Sequence, residues 1–407
     1  MVVNGEQHDS IPTSTVLLNY LLTSLRELER SPSEVTRLNA LLGHMFSKGI
    51  KRFCENHGIP LASIDFVGTH IPCLRQFGIP ETDDLNTHPL GWNANLAAEI
   101  NVNTVFDFAV MEAGHFTPRA SPVSFVNTLY LRHLYKFRAC LTIGELVNCN
   151  FIPPWSDEGA LETGRRDCGP GSLLIDYAVQ YCTSNNHHHD YDGKFAAGGK
   201  PHEAVVRRFL ETYDYSRNLP SPTIAREMFG DHEAQRLIDE CLLLRLSNAD
   251  TIATATRITA ENILMQYRRL LTSNFPTGQE VDELFISGPS ARNPNIVDYL
   301  EAELPESVIT KPLDDIGIPG DANEAVCYAH LAMEAVSAQP IRLSTAFALP
   351  LVQPGHDVVL GRVARGENWE ALSARLQEFS QGRPRRLSTD VRIAGGLNSR
   401  GDELGIR

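Results

Sequence analysis

The stretch Arg166-Asp167-Cys168-Gly169-Pro170-Gly171-Ser172-Leu173-Leu174-Ile175-Asp176 limits what this chain can become more than any other. A polar approach, a Gly-Pro-Gly turn and an apolar run describe a strand that turns directly into a helix. Gly169 and Gly171 carry no Cβ, so the backbone can turn sharply there and lie close to another group. Ser172 is placed to cap a helix over 173–181, whose free amides and dipole would attract an anion. The plain alternative is a structural turn without a ligand.

The same alternation runs along the rest of the chain. Apolar residues at helical spacing mark helices over 16–28 and 32–57, the second stopped by Gly58-Ile59-Pro60. Strands are predicted over 64–68 and 104–108, a helix over 92–100, and a strand, tight turn and strand over 138–146. Further helices fall at 203–212, 237–246, 249–271 (capped by Ser247 or Asp250), 295–303 and 322–337, with a strand over 281–287. Strands interleaved with helices make an α/β protein with helices on both faces of its sheets. A length of 407 residues calls for more than one core. The expected organisation is a start without fixed structure at 1–13, a first lobe at 14–160, a second at 161–380 and a mobile, charged tail at 381–407, with the break near Pro153-Pro154.

Net charge is -14, which argues against a nucleic-acid binder, since that would need a basic stripe. No apolar run is long enough to span a membrane, and no leader-like segment opens the chain. The cysteines are scattered without a CxxC pair, so reduced, buried thiols in a cytoplasmic protein are expected. His187-His188-His189-Asp190 suggests a metal, but adjacent histidines do not converge on one ion, and no metal site is expected.

Several stretches could carry chemistry. Thr69 and His70 end the first strand, where ligands gather in open α/β sheets. His70 could pair with a sugar hydroxyl or move a proton. Asp107 and Glu112 follow the next strand, and a carboxylate there can remove a proton from water or a hydroxyl. Gly144 and Asn148 frame a hairpin, Gly288 to Asn293 a strand-to-helix loop, and Asp321 a turn into the last predicted helix, where Asp321 and Glu324 fit a capping box. Each of these also reads as ordinary turn or cap chemistry.

Taken in order, these stretches resemble the anhydro-N-acetylmuramic acid kinase family, sugar kinases of the actin/hexokinase/Hsp70-like superfamily. Ile64-Asp65-Phe66-Val67-Gly68-Thr69-His70 is similar to that family's strand ending in Gly-Ser-His. Thr104-Val105-Phe106-Asp107-Phe108 is similar to its Val-x-Asp-Phe strand. Leu141-Thr142-Ile143-Gly144 with Asn148 matches its glycine hairpin, and Asp167-Cys168-Gly169-Pro170-Gly171 its Asp-Thr-Gly-Pro turn. Arg226-Glu227, Ala291-Arg292-Asn293-Pro294 and Gly320-Asp321 with Glu324-Ala325 complete the set, from about residue 38 to 370.

The resemblance implies two ribonuclease-H-like lobes around a central cleft, ATP with Mg as cofactors, a small-molecule substrate and a homodimer. It places Glu112 where the family's catalytic aspartate stands, beside His70 and His115, with Thr69, Asp107, Arg119, Arg226 and Glu227 on the substrate. Gly144, Asn148, Asp167, Gly169, Gly171, Gly288, Asn293 and Asp321 would hold the nucleotide. There are departures. The family's N-terminal glycine hairpin has no counterpart before Val16, so the first lobe is expected to be truncated. Glu145 replaces the second hairpin glycine, Gly288-Pro289-Ser290 replaces a triple glycine, and Pro222 replaces a lysine. Phosphoryl transfer rests on positioning and charge neutralisation. The expected function is therefore acid-base chemistry on a small molecule with weakened or lost ATP use. The alternatives are an active ATP-dependent sugar kinase and a non-catalytic binding protein.

Overall fold

The computed structural model describes residues 32–70, 92–108, 122–154, 165–213, 231–337 and 361–380, with short pieces at 2–3, 7–11, 16–17, 20, 74–75, 87–88, 341–342, 357–358 and 392–393. Within these, the elements used below run as α1 Pro32–His57, β1 Phe66–Gly68, α2 Trp92–Ile100, β2 Asn103–Phe106, α3 Pro122–Leu131, β3 Arg138–Ile143, β4 Leu146–Ile152 and β5 Arg165–Pro170. They continue as α4 Leu173–Cys182, α5 Glu203–Thr212, α6 Asp231–Leu243, α7 Asn248–Asn274, β6 Glu283–Ser287, α8 Pro294–Glu303, β7 Ile309–Pro312, α9 Asn323–Val336, β8 Arg362–Ala364 and α10 Trp369–Ser380. The chain is mixed α/β and divides into two compact units. One is Met1–Tyr130 with Glu324–Ala394, the other Leu131–Asn323 with Gly395–Arg407. Pro153 and Pro154 therefore fall inside the second unit.

The first unit holds the sheet β8-β2-β1, with β1 parallel and β8 antiparallel to β2. Helix α1 ends as its sequence requires: Gly58 takes φ +63 and Ile59 N donates to Cys54 O at 2.8 Å, closing a left-handed cap. Asp9 accepts from Asn56 and His57 in the same turn. The α1 stripe of Leu38 and Leu42 packs on Trp92, Leu96 and Ile100 of α2. Phe46 stacks on Trp92 with ring centroids 4.6 Å apart. Gly43 lets the two helices approach, since a Cβ there would lie 3.0 Å from the Trp92 carbonyl. The charged segment after Gly366, where the sequence reading places no helix, contains α10.

The second unit carries the larger sheet, in the order β7-β6-β3-β4-β5. Strands β3, β4 and β5 form an antiparallel meander, while β6 lies parallel to β3 and β7 parallel to β6. Three meandering strands followed by two parallel ones on the far side of the first is the ribonuclease-H-like order that the resemblance implied. Strand β6 is buried at every residue, whereas the edge strand β7 is exposed at Ile309 and Pro312. Helices α4, α5, α6, α7 and α8 supply Leu174, Val206, Leu237, Ile258 and Ile296 to the core that covers the sheet. Helix α7 is capped by Ser247, whose hydroxyl accepts from Asp250 N at 3.1 Å. Of the cysteines, Cys54, Cys140, Cys149, Cys168, Cys241 and Cys327 are buried thiols. Among the described residues no helix is long and apolar enough to cross a membrane.

Candidate functional site

In the second unit, three glycine turns meet at one end of the five-stranded sheet. The β3–β4 hairpin turns at Gly144, the chain leaves β5 at Gly171, and it leaves β6 at Gly288. A Cβ on Gly171 would sit 2.2 Å from the Gly144 carbonyl oxygen, and one on Gly288 would sit 2.6 Å from that of Ile143. Only residues without a side chain can occupy these two places. Gly288 also takes φ +96, which side chains disfavour. The turns are tied to each other through the backbone: Gly171 N donates to Glu145 O at 2.8 Å, Ser172 N to Gly144 O at 2.8 Å, and Gly288 N to Gly320 O at 2.8 Å. Gly144 N itself donates to Leu146 O at 3.1 Å.

Two side chains in the middle of α7, which periodicity shows only as part of a helix, hold this edge from beneath. Thr259 Oγ1 donates to Gly171 O at 2.8 Å, and Asn262 Nδ2 donates to Cys168 O at 2.6 Å. Both residues are fully buried. Polar residues on the core face of a helix were the available signal, since a buried amide needs a partner.

The other nucleotide-side candidates have defined places. Ser172 occupies the N-cap position of α4 without capping it; its hydroxyl donates instead to Asp176 Oδ2 at 2.7 Å. Asn148 lies opposite Asp167 where the β4–β5 ladder shifts register. Gly169 takes φ +100 within β5. Asn293, almost fully buried, caps α8 by accepting from Asn295 N at 3.1 Å. Asp321 stands in a short 3-10 turn before α9, so that helix starts at Asn323, one residue later than the sequence suggests. Arg292 lies between two carboxylates, 3.8 Å from Asp314 and 3.9 Å from Asp321. Glu145 is exposed at the hairpin tip.

In the first unit, the end of β1 assembles around His70. Thr69 extends the ladder, its N donating to Val105 O at 2.9 Å, and its hydroxyl is committed to Asn93 Oδ1 at 2.7 Å. Thr69 thus fastens the strand end to α2. The imidazole of His70 lies flat on the Tyr328 ring, with centroids 4.4 Å apart and 6° between planes. Burial pushes the His70 imidazole down to about 4, so it is neutral at physiological pH. Asp107 takes φ +61 at the end of β2 and stands 3.7 Å from Arg362 of β8. Burial raises the Asp107 carboxyl, against the opposing pull of Arg362. Tyr328 and Arg362 come from the C-terminal part of the chain, and neither is marked by a local motif.

Glu112, His115, Arg119, Arg226 and Glu227 lie outside the described residues, as does the side-chain setting of Asp167. The histidine loop is knit into its surroundings: His189 lies 3.1 Å from Asp176, and Asp190 accepts from Phe195 N and Ala196 N. Among the described residues no group of His, Cys, Asp and Glu is arranged to hold a metal ion.

A family model described as anhydro-N-acetylmuramic acid kinase matches residues 2–348. Anhydro-N-acetylmuramic acid kinase of Salinibacter ruber is 28% identical over 351 residues, covering 84% of this chain and 85% of that one. The protein of the same name from Caldanaerobacter subterraneus is 27% identical over 339 residues, 81% of each chain. Among solved structures, the activator of the 2-hydroxyisocaproyl-CoA dehydratase from Clostridium difficile with bound ADPNP aligns with a TM-score of 0.36 and 12% identity, over 71% of this chain and 80% of that one. The sequence match, over residues 2–348, takes in most of the chain. On that match, the chain belongs to the anhydro-N-acetylmuramic acid kinase family, a family of phosphotransferases.

Proposed function

We propose that this chain phosphorylates a small anhydro sugar with ATP and magnesium, and that its hold on ATP is weak. Family membership supports the phosphotransferase class. The observation that carries the nucleotide side is the gathering of Gly144, Gly171 and Gly288 at one sheet end, where a Cβ would strike a neighbouring carbonyl. Such an edge fits a phosphate chain, since backbone can approach it closely. Gly144, Asn148, Gly169, Gly171 and Gly288 would line the nucleotide, with Asp167, Asn293 and Asp321 beside them; magnesium would enter with the phosphates and supply charge neutralisation.

On the sugar side, Glu112 would take a proton from water, and its extra methylene relative to aspartate would require the substrate to sit further back. His70, neutral, would accept or donate a hydrogen bond at a sugar hydroxyl. Asp107, His115, Arg119, Arg226 and Glu227 would complete the substrate contacts.

The weak hold on ATP rests on three features. The amides of Gly144, Gly171, Ser172 and Gly288 are already bonded to carbonyls. Pro289 offers no amide. Glu145 places an exposed carboxylate at the hairpin tip. One like charge at an exposed site is worth on the order of 1 kcal/mol, or several-fold in affinity. Calorimetric titration with ATP-Mg is expected to show weak binding to the native chain and roughly fivefold to tenfold tighter binding to Glu145→Gly. Heat from neither protein would overturn the kinase reading. It would favour the second reading, ATP-independent acid-base chemistry centred on Glu112, for which Glu112→Gln would abolish turnover. The same amides and carboxylate are what favour that second reading.

A further inference from the structure

Helix α9 presents Tyr328 and Ala332, one turn apart, to the end of β1. The approach is close because Gly68 lacks a side chain: a Cβ there would lie 2.4 Å from the Tyr328 carbonyl oxygen and 2.9 Å from the Ala332 Cβ. Tyr328 is itself buried, and the fully buried Phe108 flanks it with ring centroids 5.6 Å apart. The phenol ring therefore has little freedom, and His70 lies against its face in nearly parallel contact. The histidine is half-buried and not sealed within the core.

We propose that Tyr328 is a positioning residue that fixes the plane of the His70 imidazole at the end of β1, so that the ring meets a sugar hydroxyl in one orientation. This rests on the reading that His70 faces the substrate. A flat ring face constrains tilt, whereas an aliphatic side chain of similar bulk would fill the space and leave the imidazole free to rotate. Misplacing a group that contacts substrate slows the reaction without weakening nucleotide binding. Burial is what holds His70 neutral.

The test compares Tyr328→Phe with Tyr328→Leu in the full-length protein. Imidazole proton resonances are assigned to His70 by their loss in His70→Gln. In the native protein and Tyr328→Phe, the His70 ring protons are expected to be shifted upfield by the aromatic face, with full turnover. In Tyr328→Leu the shift is expected to vanish and kcat to fall about tenfold or more, with KM for ATP unchanged. Tyr328→Leu with unaltered His70 resonances would overturn the positioning. Lost ring shifts with unchanged kcat would uphold the contact and overturn the use of His70 in the reaction, which separates the two ideas. Circular dichroism of each variant confirms that the fold is kept, and Tyr328→Phe supplies the conservative control.

Discussion

Glu283 shows how much one side chain can hold. It opens β6 with its side chain 1% exposed and accepts from Lys136 Nζ, Arg138 Nε and Lys311 Nζ, each at 2.7 Å. Lys136 lies just before β3, Arg138 opens β3 and Lys311 is the third residue of β7, so this one carboxylate of β6 ties together three adjacent strands. Burial alone would raise this carboxyl; hydrogen bonds from Lys136 and Lys311 and the charge of Arg138 overcome it and bring it down to about 2. A lowered carboxylate contributes stability above its unfolded value of 4.5 and loses it as pH falls through its folded value. The contribution is on the order of 3 kcal/mol at neutral pH. Urea unfolding is therefore expected to show stability falling between pH 4.5 and about 2. That slope should flatten in Glu283→Gln, which at pH 7 should lose about 3–5 kcal/mol by leaving three cations facing each other. A Glu283→Gln protein with native stability at pH 7 would refute this account. None of it was legible beforehand, because Lys136, Arg138, Glu283 and Lys311 meet only through the strand order.

At the scale of elements, the glycine turns make the sharpest demand. Gly171→Ala places a Cβ against the Gly144 carbonyl, and Gly288→Ala adds a φ of +96 to a clash with Ile143. Each is expected to cost about 1–3 kcal/mol in thermal unfolding and to abolish measurable ATP-Mg binding, whereas Gly278→Ala, which strains the backbone at φ +86 but meets open space around its Cβ, leaves ATP binding untouched. Nucleotide binding that survives Gly171→Ala would detach these turns from the phosphate. The turns were visible in the sequence because Gly-Pro-Gly and Gly-Pro between an apolar strand and a helix have few other uses. The limits of α1 and α2 were equally plain, set by periodicity and by Gly58. Helix α10 was missed because its charged faces conceal a short apolar stripe around Leu372. The stacking of His70 on Tyr328 could not be read at all: residues 70 and 328 share no local pattern, and Gly68, which permits the approach, looks like any strand-end glycine.

At the scale of the whole chain, the two units differ in how they are threaded. The described elements of the second unit's sheet and covering helices all lie between Arg138 and Pro312, and its core is drawn from residues 137–304. The first unit draws α9, β8 and α10 from far downstream, pairing Arg362 with Phe106 and Ala364 with Thr104. A fragment of residues 131–323 is expected to unfold cooperatively by itself, whereas residues 1–130 should give no cooperative transition by circular dichroism. A sharp melt from the second fragment would show that β8 and α9 are dispensable. Synthesis from the N-terminus adds a consequence. On the ribosome, the later-made half can close its core first, while the earlier-made half waits, unfinished and in need of protection, until the last stretch of chain emerges to supply its missing strand.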